Sequence, residues 1–261
     1  MFTIRELKKH ELPIFFSSCK LEGWDNDISH IECLFKVYAN DFFIAYKDKD
    51  IVGFVLALKE SKEFGTISNL LVLNGFRSLG FGKKLLDFAL KHLQGCQIAI
   101  DSVLGKEKIY ESVGFKSYFT TSIFSSYTGQ TSLPKSPITV SDVRESDLLE
   151  YNKNINSLKK PYYTSCLFKS KDSLYKAIYK DKLISSYAIR LTYKDGYKLL
   201  ISSNEINEAV TLFFSLLEDL DKSSPIYMEV SQTEQLLLTI AKLLNMQKLS
   251  TTTKMYNKIL N

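Results

Sequence analysis

Residues 70–93 constrain the fold of this chain more than any other stretch. Four apolar residues, Leu70, Leu71, Val72 and Leu73, run into Asn74 and Gly75, and Arg77, Gly80 and Gly82 follow. Then Leu85, Leu86, Ala89, Leu90 and Leu93 recur at helical spacing, opposite Lys83, Lys84, Asp87 and Lys91. The pattern is a buried strand feeding an amphipathic helix through a glycine-rich turn. A helix starting at Gly80 to Lys83 presents unpaired N–H groups and the positive end of its peptide dipoles, and glycines let a ligand approach that backbone closely. The expectation is an anion site suited to a diphosphate.

Spacing narrows which diphosphate. A Walker loop needs Lys after its second glycine, but the run from Gly75 to Gly80 is followed by Phe81. A dinucleotide fingerprint starting at Gly80 needs a third glycine at position 85, which is Leu85. What stands here is Arg77-x-x-Gly80-x-Gly82, and 28 residues past Gly82 comes Tyr110-Glu111-Ser112-Val113-Gly114-Phe115. On these residues the chain resembles the GNAT superfamily of acyl-CoA-dependent acetyltransferases. In that family a strand runs into an Arg/Gln-x-x-Gly-x-Gly/Ala loop, and a Tyr-Glu-x-x-Gly-Phe segment follows the next strand. The resemblance covers roughly residues 42–126.

The chain is long enough for two domains of about 130 residues. Its first residues contain no long apolar run, and the longest uninterrupted candidate strand, Ile51 to Leu58, is far too short to span a bilayer. The four cysteines, Cys19, Cys33, Cys96 and Cys166, show no ligand spacing, so neither a structural metal nor a secreted disulfide scaffold is expected, and the cytoplasm is the expected compartment. Residues 1–130 hold 16 Lys and Arg against 15 Asp and Glu, and residues 131–261 hold 18 against 14. With no basic arm, nucleic acid and membrane are not expected partners.

In order, the pattern predicts a strand at Phe2 to Arg5, helices over 8–18 and 28–39, and a hairpin of Phe42 to Tyr46 with Ile51 to Leu58. A third strand over 66–73, the helix over 80–93, a strand over 96–101, a short helix over 105–113 and a long strand over 115–127 follow. A turn-rich linker over 129–137 separates domains at 1–128 and 138–261. Beyond it the pattern starts again: Phe2-Thr3-Ile4-Arg5-Glu6-Leu7-Lys8 lines up with Ile138-Thr139-Val140-Ser141-Asp142-Val143-Arg144 at an offset of 136, and Glu11-Leu12 with Asp147-Leu148. The expected architecture is α/β (α+β): two GNAT-like domains, each a mixed, mostly antiparallel sheet flanked by helices. The second copy has Ser202-Ser203-Asn204-Glu205 where the first has its glycine loop, and Glu205 and Glu208 would repel a diphosphate there. The loop Glu22-Gly23-Trp24, with Glu32 ten residues on from Glu22, also resembles a GNAT subgroup that carries such a degenerate second domain.

The resemblance implies acetyl-CoA as cosubstrate and no metal. It places the pantetheine arm along Leu70, Leu71 and Val72, and the diphosphate on Ser78, Leu79, Gly80, Phe81, Gly82 and Lys83, with Arg77 opening the loop. Asn74 stands where the family usually has proline. Tyr110 is implied as the general acid that protonates the leaving thiolate, since a phenol is protonated near neutrality. The base is less defined. Ile98 occupies the position of the glutamate some relatives use, Val103 that of a cofactor-contacting asparagine, and Asp101 is the nearest substitute, with Asp25, Asp27, His30, Glu32, Glu63 and a water relay as others. Glu22, Trp24 and Asp25 are candidates to wall the acceptor. The expected activity is acetyl transfer to a primary amine of a small molecule or peptide; the alternative is a non-catalytic acyl-CoA-binding sensor or interaction module. His10 and His92 are expected on solvated helix faces.

Overall fold

A computed structural model describes residues 1–24, 28–130, 137–155 and 161–257. Asp25 and Asp27 lie outside the described residues, as does most of the expected linker. Contacts gather into two compact units, Met1–Tyr118 together with the segment from Thr253, and Phe119–Thr252.

The first unit begins with β1 (Phe2–Glu6), a 3-10 turn at Lys9–Glu11, α1 (Leu12–Leu21) with Pro13 in its first turn, and α2 (Ile28–Tyr38). Then come β2 (Phe42–Lys47), β3 (Asp50–Leu58), β4 (Phe64–Val72), α3 (Phe81–His92), β5 (Gln97–Val103) and α4 (Glu107–Glu111). Strands β1 to β4 pair antiparallel in sequence order, and β4 pairs parallel with β5. Because strand side chains alternate, the middle strands feed two cores at once. Phe43, Ala45, Val55 and Ala57 pack with Leu85, Leu86 and Ala89 of α3. Phe42, Ile44, Phe54 and Leu56 pack with Phe15 of α1 and Ile31 of α2.

One irregularity opens the sheet. Between Phe54↔Leu71 and Leu56↔Ser68, β4 carries one residue more than β3, and Asn69 takes φ +47°. This is a β-bulge, with a left-handed residue of the type that tolerates it. The bulge brings Leu71 so close to β3 that a Cβ on Gly53 would lie 2.1 Å from the Leu71 carbonyl oxygen. Pairing of β4 with β5 covers only Phe64–Ile67, while β4 runs on to Val72.

The second unit repeats the plan. After β6 (Lys116–Tyr127) come β7 (Ser141–Asp142), α5 (Glu145–Ile155), α6 (Pro161–Phe168), β8 (Ser173–Lys180), β9 (Leu183–Tyr193) and β10 (Gly196–Ser202). They are followed by α7 (Ile206–Ser215), β11 (Pro225–Ser231), α8 (Gln235–Leu243) and β12 (Gln247–Tyr256). Again β7 to β10 pair antiparallel in order and β10 pairs parallel with β11. Even a polar clasp recurs. In the first unit Arg5 grips Glu11 with two hydrogen bonds of 2.8 and 2.7 Å, and the Tyr46 hydroxyl donates to the same carboxylate at 3.1 Å. In the second, Arg144 holds Asp147 at 2.8 Å and the Tyr179 hydroxyl donates to it at 3.0 Å. Tyr46 and Tyr179 each sit at the register shift of their hairpin.

The units do not each keep their own final strand. Most of β6 belongs to the second unit, where it pairs antiparallel with β11, while the segment from Thr253 at the end of β12 belongs to the first, beside β5. The short helix expected over 105–113 is regular only at Glu107–Glu111. His92 is not on a solvated face: its Nε2 lies 2.8 Å from the buried Asp41 carboxylate, and its ring packs edge-on against Phe43. Among the described residues, no helix is long and apolar enough to cross a membrane, and no cluster of His, Cys, Asp and Glu could hold a metal.

Candidate active site

Where β4 and β5 part, a cleft of about 960 Å³ opens in the first unit. Its walls are the bulged end of β4, the loop and first turn of α3, the end of β5 and one face of α4. Past Ile67, among the described residues, the edge of β4 has no strand beside it on the β5 side. Such an edge offers main-chain hydrogen bonds to an extended ligand.

The helix start at the cleft is open as well. Gly80 caps α3 in the left-handed region, φ +80°, which explains a glycine at that position. Among the described residues no side chain caps the helix, no acidic residue stands in its first turn, and Lys83 is the third helical residue. The orphan N–H groups and the dipole end are therefore left for an external anion.

Of the expected cofactor residues, Leu70, Leu71, Val72, Ser78, Gly82 and Lys83 line the cleft. Leu79, Gly80 and Phe81 do not: Leu79 is exposed, and the Phe81 ring is buried in the core, stacked on Phe2 at 5.2 Å. Arg77 lines the cleft, but its guanidinium is engaged. Its Nε donates to the Val72 carbonyl at 3.0 Å and its Nη2 pairs with Glu22, the residue that ends α1. Glu22, expected at the acceptor, is thus the partner of Arg77. Trp24 both faces the cleft and packs on the Phe15 core.

Tyr110 reaches the cleft from α4, half-buried with its ring against Phe115 at 6.2 Å. Burial pushes its phenol above the ordinary value of 10, so the hydroxyl holds its proton at neutral pH. Asp101 faces the same cleft from β5, and its Oδ2 accepts from Lys254 Nζ at 2.6 Å. Sequence reasoning missed the Asn69 bulge and Lys254. An asparagine inside an apolar strand pattern signals the first; no local signal marks the second.

The corresponding helix start in the second unit is filled from within. Glu205 caps α7 with extended backbone, its N–H donating to the Ser203 hydroxyl at 3.1 Å. Glu208, the third helical residue and buried, accepts from Lys180 Nζ at 2.5 Å, Ser186 at 2.5 Å and Ser185 at 3.0 Å. Burial raises its pKa, but these donors outweigh it and hold the carboxyl below its ordinary range.

Residues 39–117 match the family model of the acetyltransferase (GNAT) domain. A curated relative, the holothin acyltransferase of Pseudoalteromonas sp. (strain SANK 73390), is 26% identical over 101 residues. That match takes in 39% of this chain, and the chain covers 34% of the relative. Among solved structures, a Pyrococcus horikoshii protein assigned as an acetyltransferase aligns with TM-score 0.75 at 12% identity, over 100% of this chain and 94% of its own. A tandem GNAT protein from the clavulanic acid biosynthesis pathway aligns with TM-score 0.69 at 10% identity, over 100% of both chains. The stretch matched by the family model contains the bulged strand, the open helix start and Tyr110, and the fold of the chain is similar to that of these solved structures.

Proposed function

We propose that this chain moves an acetyl group from acetyl-CoA to the primary amine of a small molecule or peptide, with one cofactor site, in the first unit. The observation that carries this reading is the meeting of three features in one cleft: an uncapped helix start, an unpaired strand edge and a half-buried, protonated Tyr110. The residues fit the cosubstrate. The N–H groups from Ser78 to Lys83 suit a diphosphate, Gly82 leaves space that only Val72 approaches, at 3.6 Å from an added Cβ, and the edge of Leu70 to Val72 suits the amide-bearing arm.

Bound acetyl-CoA supplies an activated acyl carbon and a thiolate leaving group. The amine nitrogen bonds to that carbon as the carbon–sulfur bond breaks. Asp101 takes the proton released from nitrogen, and Tyr110 gives its own to sulfur; the proton on Asp101 then returns to the phenolate through solvent. Backbone donors at the end of β4 stabilise the developing oxyanion.

A panel of amines scored by thiol release tests the reaction, and Tyr110→Phe tests the acid. Removing only the hydroxyl keeps the ring packing, so acetyl-CoA affinity should hold while kcat falls by roughly 10²-fold or more. Normal turnover in Tyr110→Phe would remove it from the mechanism. One observation favours the sensor reading: the carboxylates that face the cleft among the described residues, Glu22 and Asp101, are already paired with cations. Saturable acetyl-CoA binding with no thiol release on any amine would select that reading.

A further inference from the structure

The two side chains on which the proposed transfer turns, Asp101 and Tyr110, stand on neighbouring elements of the first unit, and one short segment far along the chain touches both elements. Lys254 Nζ donates to Asp101 Oδ2 at 2.6 Å across a separation of 153 residues. Thr253 Oγ1 donates to Glu107 Oε1 at 2.8 Å, in the first turn of the five-residue helix that carries Tyr110. Asn257 closes on β5 from both sides of its peptide: its N–H donates to the Ile98 carbonyl at 3.2 Å, and its side-chain oxygen accepts from the Ile98 N–H at 2.7 Å. Met255, between them, is fully buried in the core under α3.

These contacts are of the kind that fixes direction more than it adds stability. Asp101 is 43% exposed, and a surface ion pair contributes little to folding. Yet Lys254 is only 23% exposed, because it lies on a strand anchored by Met255 and Asn257, so its ammonium is a fixed reference for a carboxylate that would otherwise sample several rotamers. Lys254 takes Oδ2, and among the described residues nothing donates to Oδ1, which is left for the acceptor. At α4, the Glu107 carboxyl is held below its ordinary range by backbone N–H groups and the Thr253 hydroxyl. A helix of five residues is too short to be rigid on its own, so the Thr253 tether at its first turn and the packing of Tyr110 on Phe115 together hold it.

We infer that Thr253–Asn257 is a positioning segment of the active site, in which Lys254 aims the Asp101 carboxylate and Thr253, through Glu107, sets the helix that carries Tyr110. This inference rests on the acetyl-transfer reading for its catalytic consequence, but its structural content stands alone.

The test uses the full chain and the variants Lys254→Met, Lys254→Arg and Thr253→Val. Calorimetry gives acetyl-CoA affinity, thiol release gives kcat and the acceptor KM, and amide hydrogen exchange follows residues 98–113. Lys254→Met should keep acetyl-CoA affinity within about twofold while kcat falls about tenfold or more, the cost of a misaimed group. Lys254→Arg, which keeps charge and donor, should recover kcat to within about threefold of the parent. Thr253→Val should speed exchange in α4 with little change in melting temperature. Unchanged kcat in Lys254→Met, or no recovery in Lys254→Arg, overturns the assignment. If the parent protein releases no thiol on any amine of the panel, the transfer reading fails, and positioning is then judged by exchange alone: faster exchange over 98–113 in Lys254→Met and Thr253→Val supports it, and equal exchange overturns it.

Discussion

The starts of α3 and α7 occupy the same place in two copies of one fold, and they treat the positive end of a helix in opposite ways. At α3 the turn is a left-handed glycine, no acid stands in the first turn and the third residue is Lys83. At α7 the third residue is Glu208, buried and held by Lys180, Ser185 and Ser186. One copy leaves its dipole end without an acidic side chain, and the other sets a carboxylate in its first turn. The fold is therefore indifferent to how the position is filled; the side chain at the third helical residue and the presence of a glycine cap set whether the turn stays open to an anion or joins the core.

The largest effect that could break this comparison comes from giving the first turn what the second has. Gly82→Glu places a carboxylate in the first turn of α3, where Val72 leaves room for it. Acetyl-CoA affinity should fall at least about a hundredfold, roughly 2.7 kcal/mol. In titration calorimetry the parent should bind one equivalent per chain; full affinity in Gly82→Glu, or two equivalents in the parent, would dissolve the distinction between the helix starts.

A second, smaller effect sharpens it. Glu208→Ala removes the internal carboxylate and leaves Ser185 and Ser186 without their acceptor. Thermal unfolding should show a loss of about 2 kcal/mol, the scale of a charge-assisted hydrogen bond in a buried setting. The affinity for acetyl-CoA should not change. A gain of a second acetyl-CoA site in this variant would mean that Glu208 alone closes the second copy.

The smallest effect concerns what the copies share. In the first unit the Arg5 hydrogen bonds, opposed by burial and aided by the Lys8 N–H and Tyr46 hydroxyl, hold the Glu11 carboxyl down to about 2, against 4.5 ordinarily. A carboxyl with a depressed folded-state pKa contributes stability that is fully present above the unfolded value and is lost as pH falls through the folded one. The difference in melting temperature between the parent and Glu11→Gln should be constant above about pH 5 and shrink between pH 4.5 and pH 2. A difference that stays level across that window would show that the clasp works by packing rather than by charge. Asp147, depressed by Arg144 in the same way, supplies the parallel measurement in the second unit.

Much of this was legible in the residues because it is local. The apolar rhythm from Leu85 to Leu93 specifies α3, the runs at 42–46 and 51–58 specify the central hairpin, and the offset of 136 announces the repeat. Gly80 and the empty first turn of α3 are also local facts, so the open helix start could be read directly. The pairing of Arg77 with Glu22, of His92 with Asp41 and of Asp101 with Lys254 could not, because each joins side chains that only the folded backbone brings together. The bulge at Asn69 lies between these cases, since its residue type is suggestive but its effect depends on how β3 pairs with it.

The exchange of final strands has a consequence for how the protein is made. While the chain emerges from a ribosome, β1 to β5 can pair as soon as they appear, but the outer edge of β5 waits for Lys254, 153 residues later. At about 5–20 residues per second that is a delay of roughly 8–30 s. Throughout it, Ile98 and Ile100 sit on an unpaired edge, the kind of surface that recruits other nascent strands. Asp101 lies in the middle of that edge, and an isolated negative charge there discourages such pairing. A carboxylate at that place is of the kind that keeps such an edge from pairing while its final neighbour is still being made.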